Sequence, residues 1–113
     1  MVPVTVGLDV GSVAVSLVVL GPDRQVDDHA CSAHHGDPVG AIVRLLAGLN
    51  FQQGVRVAAT GAVPGAIRAH GRYDGLVSLI TGGRKYHADV GSILHVGGER
   101  FGLVEFDSNG RYT

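Results

Sequence analysis

Apolar and polar positions fall into blocks along the chain, and the blocks set out its elements. Residues 4–9 and 13–20 are apolar runs rich in Val and Leu, joined at Gly11-Ser12. Branched side chains at that density favour a pleated surface, so the pattern predicts two strands and a tight hairpin. Gly21-Pro22-Asp23-Arg24 is a second turn. Residues 25–33 predict a third strand, more polar and so nearer a sheet edge. Asp37 then Pro38 is a helix start, an N-cap acid before a proline whose missing N–H costs nothing there. Ile42, Val43, Leu45, Leu46 and Leu49 recur at helical spacing, which predicts a helix over 38–49. Val55 to Thr60 reads as a short buried strand ending at Gly61. Residues 63–70 read as a short helix. Residues 74–85 read as another, with Leu76, Val77, Leu79 and Ile80 as its apolar side, Gly82-Gly83 as its stop and Arg84-Lys85 as a solvated basic end. Strands over 92–96 and 100–106 close the pattern, and Asn109-Gly110 is a hairpin turn signal. The order is β-β-β-α-β-α-α plus a trailing β-hairpin, which predicts an α/β domain with helices on a mixed sheet.

The pattern also repeats. Laid over 95–106, residues 9–20 match Val10, Gly11, Leu17 and Val18 to Val96, Gly97, Leu103 and Val104. Ser12 meets Gly98, and Leu20 meets Phe106. Each copy is strand, glycine turn, strand and polar turn. The repeat predicts one complete unit and the opening of a second, although two unrelated glycine-linked hairpins would also look alike. A lone hairpin is marginal. The division expected is therefore 1–91 as a first lobe, and 92–113 as either the opening hairpin of a second lobe or extra strands of the same sheet. The unpaired hairpin edge also makes a homodimer an expected assembly.

Composition narrows the function classes. Charged residues are 17 % and the net charge is −1, with no Lys/Arg stripe, so nucleic acid is not an expected partner. No apolar run approaches the roughly 20 residues of a membrane helix, and the start MVPVTVGLDV lacks a signal peptide's basic flank. The one cysteine, Cys31, excludes an internal disulfide, fits a reducing cytoplasm and reads as a small core residue. Glycine is 18 of 113 residues, against roughly 7 % on average. Spread among apolar runs, these glycines point to tight turns and close backbone approaches. His34-His35 would face opposite sides of a strand and cannot easily share a metal, so they read as a strand end running into the helix cap. Asp9, an acid ending an apolar strand, reads either as a turn cap or as a ligand-facing group.

The segments GLDVGSVAVSLVVL, VAATGAV and LVSLITGGRKYHADVGSILHVGGERFGLVEF resemble the first domain of the BadF/BadG/BcrA/BcrD ATPases, the activators of 2-hydroxyacyl-CoA dehydratases and benzoyl-CoA reductases. The resemblance runs over essentially the whole chain. It implies a ribonuclease H-like, actin-like ATPase lobe of the acetate kinase, sugar kinase, Hsp70 and actin superfamily. It further implies ATP or ADP with Mg²⁺, gripped between two glycine hairpins. Asp9 would be the catalytic, magnesium-holding acid. Gly11, Ser12 and Val13 would face the phosphates, with Thr60-Gly61 at the cleft and Gly97-Gly98 in the second loop. The partners implied are the remaining lobe of the same polypeptide and an acyl-CoA dehydratase or reductase component. The family's [4Fe-4S] cluster is held by cysteines further along than this chain reaches, so no cluster is expected in it.

Departures from the family pattern are specific. Val13 stands where a threonine is usual, Ser16 where a lysine falls, His95 where the second loop has its acid, and Gly75 where an acid precedes the last helix. Losing a cation and an acid from a phosphate site removes electrostatic stabilisation, which dominates phosphoryl transfer. The expectation is a degenerate copy that keeps the fold and is inactive alone. The competing expectation is a structural or regulatory domain docking onto a larger polypeptide. A sugar or acetate kinase fragment would need a substrate-binding acid, and the sequence offers no good candidate.

Overall fold

The computed structural model describes residues 4–49, 54–99 and 101–113. Its elements are β1 (Val4–Val10), β2 (Ala14–Leu20), β3 (Val26–Ala33), α1 (Pro38–Ala47), β4 (Val55–Thr60), β5 (Gly71–Tyr73), α2 (Gly75–Tyr86), β6 (Ser92–Val96) and β7 (Phe101–Glu105). Arg100, where the sequence opens its last strand, lies outside the described residues.

Five strands form one mixed sheet in the order β3-β2-β1-β4-β5. β1 and β2 are antiparallel, as are β2 and β3, while β4 runs parallel to β1 and β5 parallel to β4. Alternation along the strands sends Val6, Leu8, Val15, Leu17, Val19 and Ala59 to one face. There they pack with Ala41 and Ile42 of α1 and with Val63. Each such large side chain contributes roughly 1.5–3 kcal/mol on burial. β3 is the polar edge strand that its composition predicts. The Asp37 carboxylate accepts from Gly40 N–H at 3.0 Å, with Pro38 in the first turn, so α1 begins where its cap requires.

Four expectations need correction. Residues 63–70 are not a helix. Pro64 has no N–H to give, its carbonyl takes only a single turn bond from Ile67 N–H at 3.1 Å, and the carbonyls of Val63, Pro64 and Ile67 take the Arg72 guanidinium. The element that follows, β5, is a strand of 3 residues, so the order is β-β-β-α-β-β-α with the hairpin behind it. Gly82-Gly83 does not end α2, which runs on to Tyr86. A Cβ on Gly83 would lie 3.0 Å from Ile93 Cδ1, so glycine there lets α2 sit close against β6. Arg84 is not simply solvated. It donates to the Gly110 carbonyl and stacks 4.3 Å from the Phe106 ring, clamping the last turn to α2. Cys31 is exposed rather than in the core, because it points away from α1 on the edge strand, opposite Ser16.

β6 and β7 form a two-stranded sheet of their own and add nothing to the larger one. Their pairing reproduces that of β1 and β2. Leu8 faces Leu17 as Leu94 faces Leu103, and Val10 faces Val15 as Val96 faces Phe101. Thr5 pairs with Leu20, and Phe106 N–H reaches Gly91 C=O at 2.9 Å. The repeat read in the sequence is therefore a repeat of register. Burial differs sharply between the copies. Leu8 and Leu17 are 2 % and 1 % exposed, whereas Leu94, Val96, Phe101 and Leu103 are 67, 72, 84 and 56 % exposed. The second hairpin carries a core face without a core.

Candidate functional site

The β1–β2 hairpin closes at Gly11. Its N–H donates to Ala14 C=O at 2.8 Å, and Ser12 and Val13 form the exposed tip. Among the described residues, neither the Ser12 amide nor the Val13 amide is taken by a protein acceptor. Adjacent free amides in a tight bend present partial positive charge, which suits an anion.

The second bend lies directly against the first. A Cβ placed on Gly98 would stand 2.6 Å from Ser12 Oγ and 2.7 Å from Val13 Cγ2. No side chain fits there without moving the tip. Gly97 and Gly98 thus share one exposed surface with Ser12 and Val13. Asp9 is exposed at the end of β1, and Thr60, at the end of the parallel neighbour β4, donates its hydroxyl to Asp9 Oδ1 at 3.0 Å. Parallel pairing brings these two strand ends to the same edge, which is why residues so far apart in sequence meet. Gly61 follows, with its N–H committed to Tyr73 C=O at 3.0 Å. What Gly61 offers a ligand is the missing side chain, since nothing lies within 4 Å of a Cβ placed there.

Two further residues bear on the site. Ser16, at the position of the missing lysine, holds its hydroxyl 3.6 Å from Cys31 Sγ on the open face of the sheet. His34, read as a strand end, reaches the first bend: its Nε2 lies 3.0 Å from Gly11 C=O. The signal for this was the β2–β3 pairing, which carries His34 N–H onto Val13 C=O at 3.0 Å. A separate open depression of about 380 Å³, lined by Gly65, Ile67, Arg68, Ala69, His70 and Arg72, holds none of the site residues.

No protein-family model matches the sequence, nor does any of the curated proteins compared with it. Two solved structures match the fold. One is the activator of the 2-hydroxyisocaproyl-CoA dehydratase from Clostridium difficile with bound ADPNP, at 22 % identity and a TM-score of 0.76. The other is component A of the (R)-2-hydroxyglutaryl-CoA dehydratase of Acidaminococcus fermentans, at 18 % identity and a TM-score of 0.75. The chain shares its fold with these two proteins of dehydratase systems. The matches cover 97 % of this chain but 44 % and 46 % of those proteins, so the chain spans less than half their length. These are proteins of the kind that the glycine-hairpin segments resemble. No helix among the described residues is long and apolar enough to cross a membrane.

Proposed function

We propose that this chain is the phosphate-gripping module of an activator ATPase that serves an acyl-CoA dehydratase or reductase, in a copy with little or no hydrolysis of its own. One observation carries the reading: two hairpins of identical register bring their glycine bends into contact beside Asp9. Such a bend pair offers main-chain amides to the phosphates of ATP or ADP, and one of the matched activators holds ADPNP. The fold is then the first lobe of an actin-like, ribonuclease H-like ATPase.

Asp9 fits a hydrated Mg²⁺. It is exposed, one of its oxygens is fixed by Thr60, and magnesium takes few protein carboxylates while keeping several waters. Bound there, the ion would neutralise phosphate charge. Asp9 orients it, Thr60 orients Asp9, and the bend amides hold the phosphate oxygens. A [4Fe-4S] cluster takes four thiolates. Cys31 is the single cysteine of this chain and lies on the edge strand, so these residues do not make that site.

The degenerate reading rests on charge. The position that repeats Asp9 is His95, opposite Gly102, and the lysine position is Ser16. Both substitutions leave the amides that grip and remove groups that stabilise transferred charge. The exposed face of β6–β7 supports a second lobe, on the same or another polypeptide, packing a helix there as α1 packs on β1–β2. Titration calorimetry with ATP and ADP in Mg²⁺ tests the proposal. The expected result is binding with no phosphate release above background. No heat at millimolar nucleotide would contradict it.

A further inference from the structure

We infer that His34 is a positioning residue that sets the first bend for anion binding, by holding the Gly11 carbonyl so that the Ser12 amide is presented outward. The inference rests on the phosphate-gripping reading above and deepens it.

The tautomer follows from the hydrogen bonds. Gly36 N–H donates to His34 Nδ1 at 3.0 Å, so Nδ1 carries no proton. The proton of the neutral ring is then on Nε2, which donates to Gly11 C=O at 3.0 Å. Among the described residues that carbonyl takes no main-chain amide, so His34 alone fixes its direction. The Gly11 carbonyl and the Ser12 N–H belong to one planar trans peptide and point to opposite sides of it. Pinning the carbonyl toward β3 turns the Ser12 N–H away from β3, where among the described residues nothing else engages it. Gly11, free of a side chain, would otherwise let this peptide rotate.

The brace is itself held. His34 N–H bonds to Val13 C=O at 3.0 Å, and Asp37 N–H to His34 C=O at 2.7 Å. Between them His35 and Gly36 have φ of 48° and 82°, the left-handed pair of a type I′ turn. A non-glycine residue in that region is uncommon and costs energy. This turn brings the Gly36 amide back onto the imidazole, and it leads directly into the Asp37 cap of α1. The ring is thereby locked between the helix start and the bend.

The test compares His34→Gln with His34→Asn in the full chain. Glutamine carries an N–H as far out as Nε2 and keeps the bond to Gly11. Asparagine keeps an acceptor for Gly36 but is too short for Gly11. Calorimetry with Mg²⁺–ATP is expected to give near wild-type affinity for His34→Gln and a loss of up to about tenfold for His34→Asn and His34→Ala, as removal of one oriented hydrogen bond allows. The reverse order, or no difference among the three, would overturn the inference. If no form binds nucleotide, the phosphate-gripping reading fails separately. The nucleotide-free proteins then decide on the brace. Nitrogen-15 spectra are expected to give the Nε2–H tautomer in the wild type and an unmoved Ser12 amide in His34→Gln only. An Nδ1–H tautomer, or a Ser12 amide unmoved in all three variants, would refute it.

Discussion

Gly11 carries no structural obligation to be glycine. Its φ is outside the left-handed region, and an added Cβ would meet nothing closer than the Ala14 carbonyl at 3.4 Å. A Gly→Ala change at such a position commonly stabilises by about 0.4–1 kcal/mol through the unfolded chain. Gly11→Ala is therefore expected to keep or raise the melting temperature while weakening nucleotide binding, because the methyl stands where phosphate would approach. A loss of stability without a loss of affinity would assign Gly11 to the fold instead. Gly98 is the opposite case: its missing Cβ is what lets the bends touch. Asp9 is exposed, and its one protein partner among the described residues is Thr60, so Asp9→Asn is expected to leave melting nearly unchanged and to abolish the Mg²⁺ dependence of binding. Melting curves and calorimetry with and without Mg²⁺ check both.

Among the elements, β1, β2 and α1 were legible because burial and periodicity coincide in them. Leu17 and Ile42 are fully buried at positions where the alternation and the helical spacing put them. Leu17→Ala is expected to destabilise by about 2–5 kcal/mol, and Asp37→Ala by about 1 kcal/mol through the lost cap, both measured by denaturant unfolding. The stretch over 63–70 was not legible, because its structure is decided by the guanidinium of Arg72, just beyond its own end. Arg72 serves three carbonyls, and no local pattern announces that. A strand of 3 residues such as β5 is too short for alternation to register. Gly82-Gly83 misled for a related reason: glycine favours helix ends on propensity, but close packing against Ile93 overrode it. Of the proposed site, the nearness of Asp9 to the glycine bends was readable from spacing and resemblance. His34 was not, since its role depends on where the edge strand β3 ends relative to the bend.

At the scale of the whole molecule, the repeated register is the organising fact. The first hairpin buries its apolar face under α1, and the second leaves the same face open to solvent. Four apolar side chains on one small sheet make a patch of the kind that marks an interaction surface. Replacing Phe101 and Leu103 together with Asp is expected to leave the melting temperature of the chain unchanged, since neither is buried. The same change should abolish any concentration-dependent association seen by sedimentation velocity. A large fall in melting temperature would mean that the face already has a partner within the chain. The most direct test of the paired bends is a nuclear magnetic resonance titration of the nitrogen-15-labelled chain with Mg²⁺–ADPNP. The account requires amide shifts concentrated at Gly11, Ser12, Val13, Thr60, Gly97 and Gly98. Shifts confined to the depression around Arg68 and Arg72, or none at millimolar ligand, would contradict it.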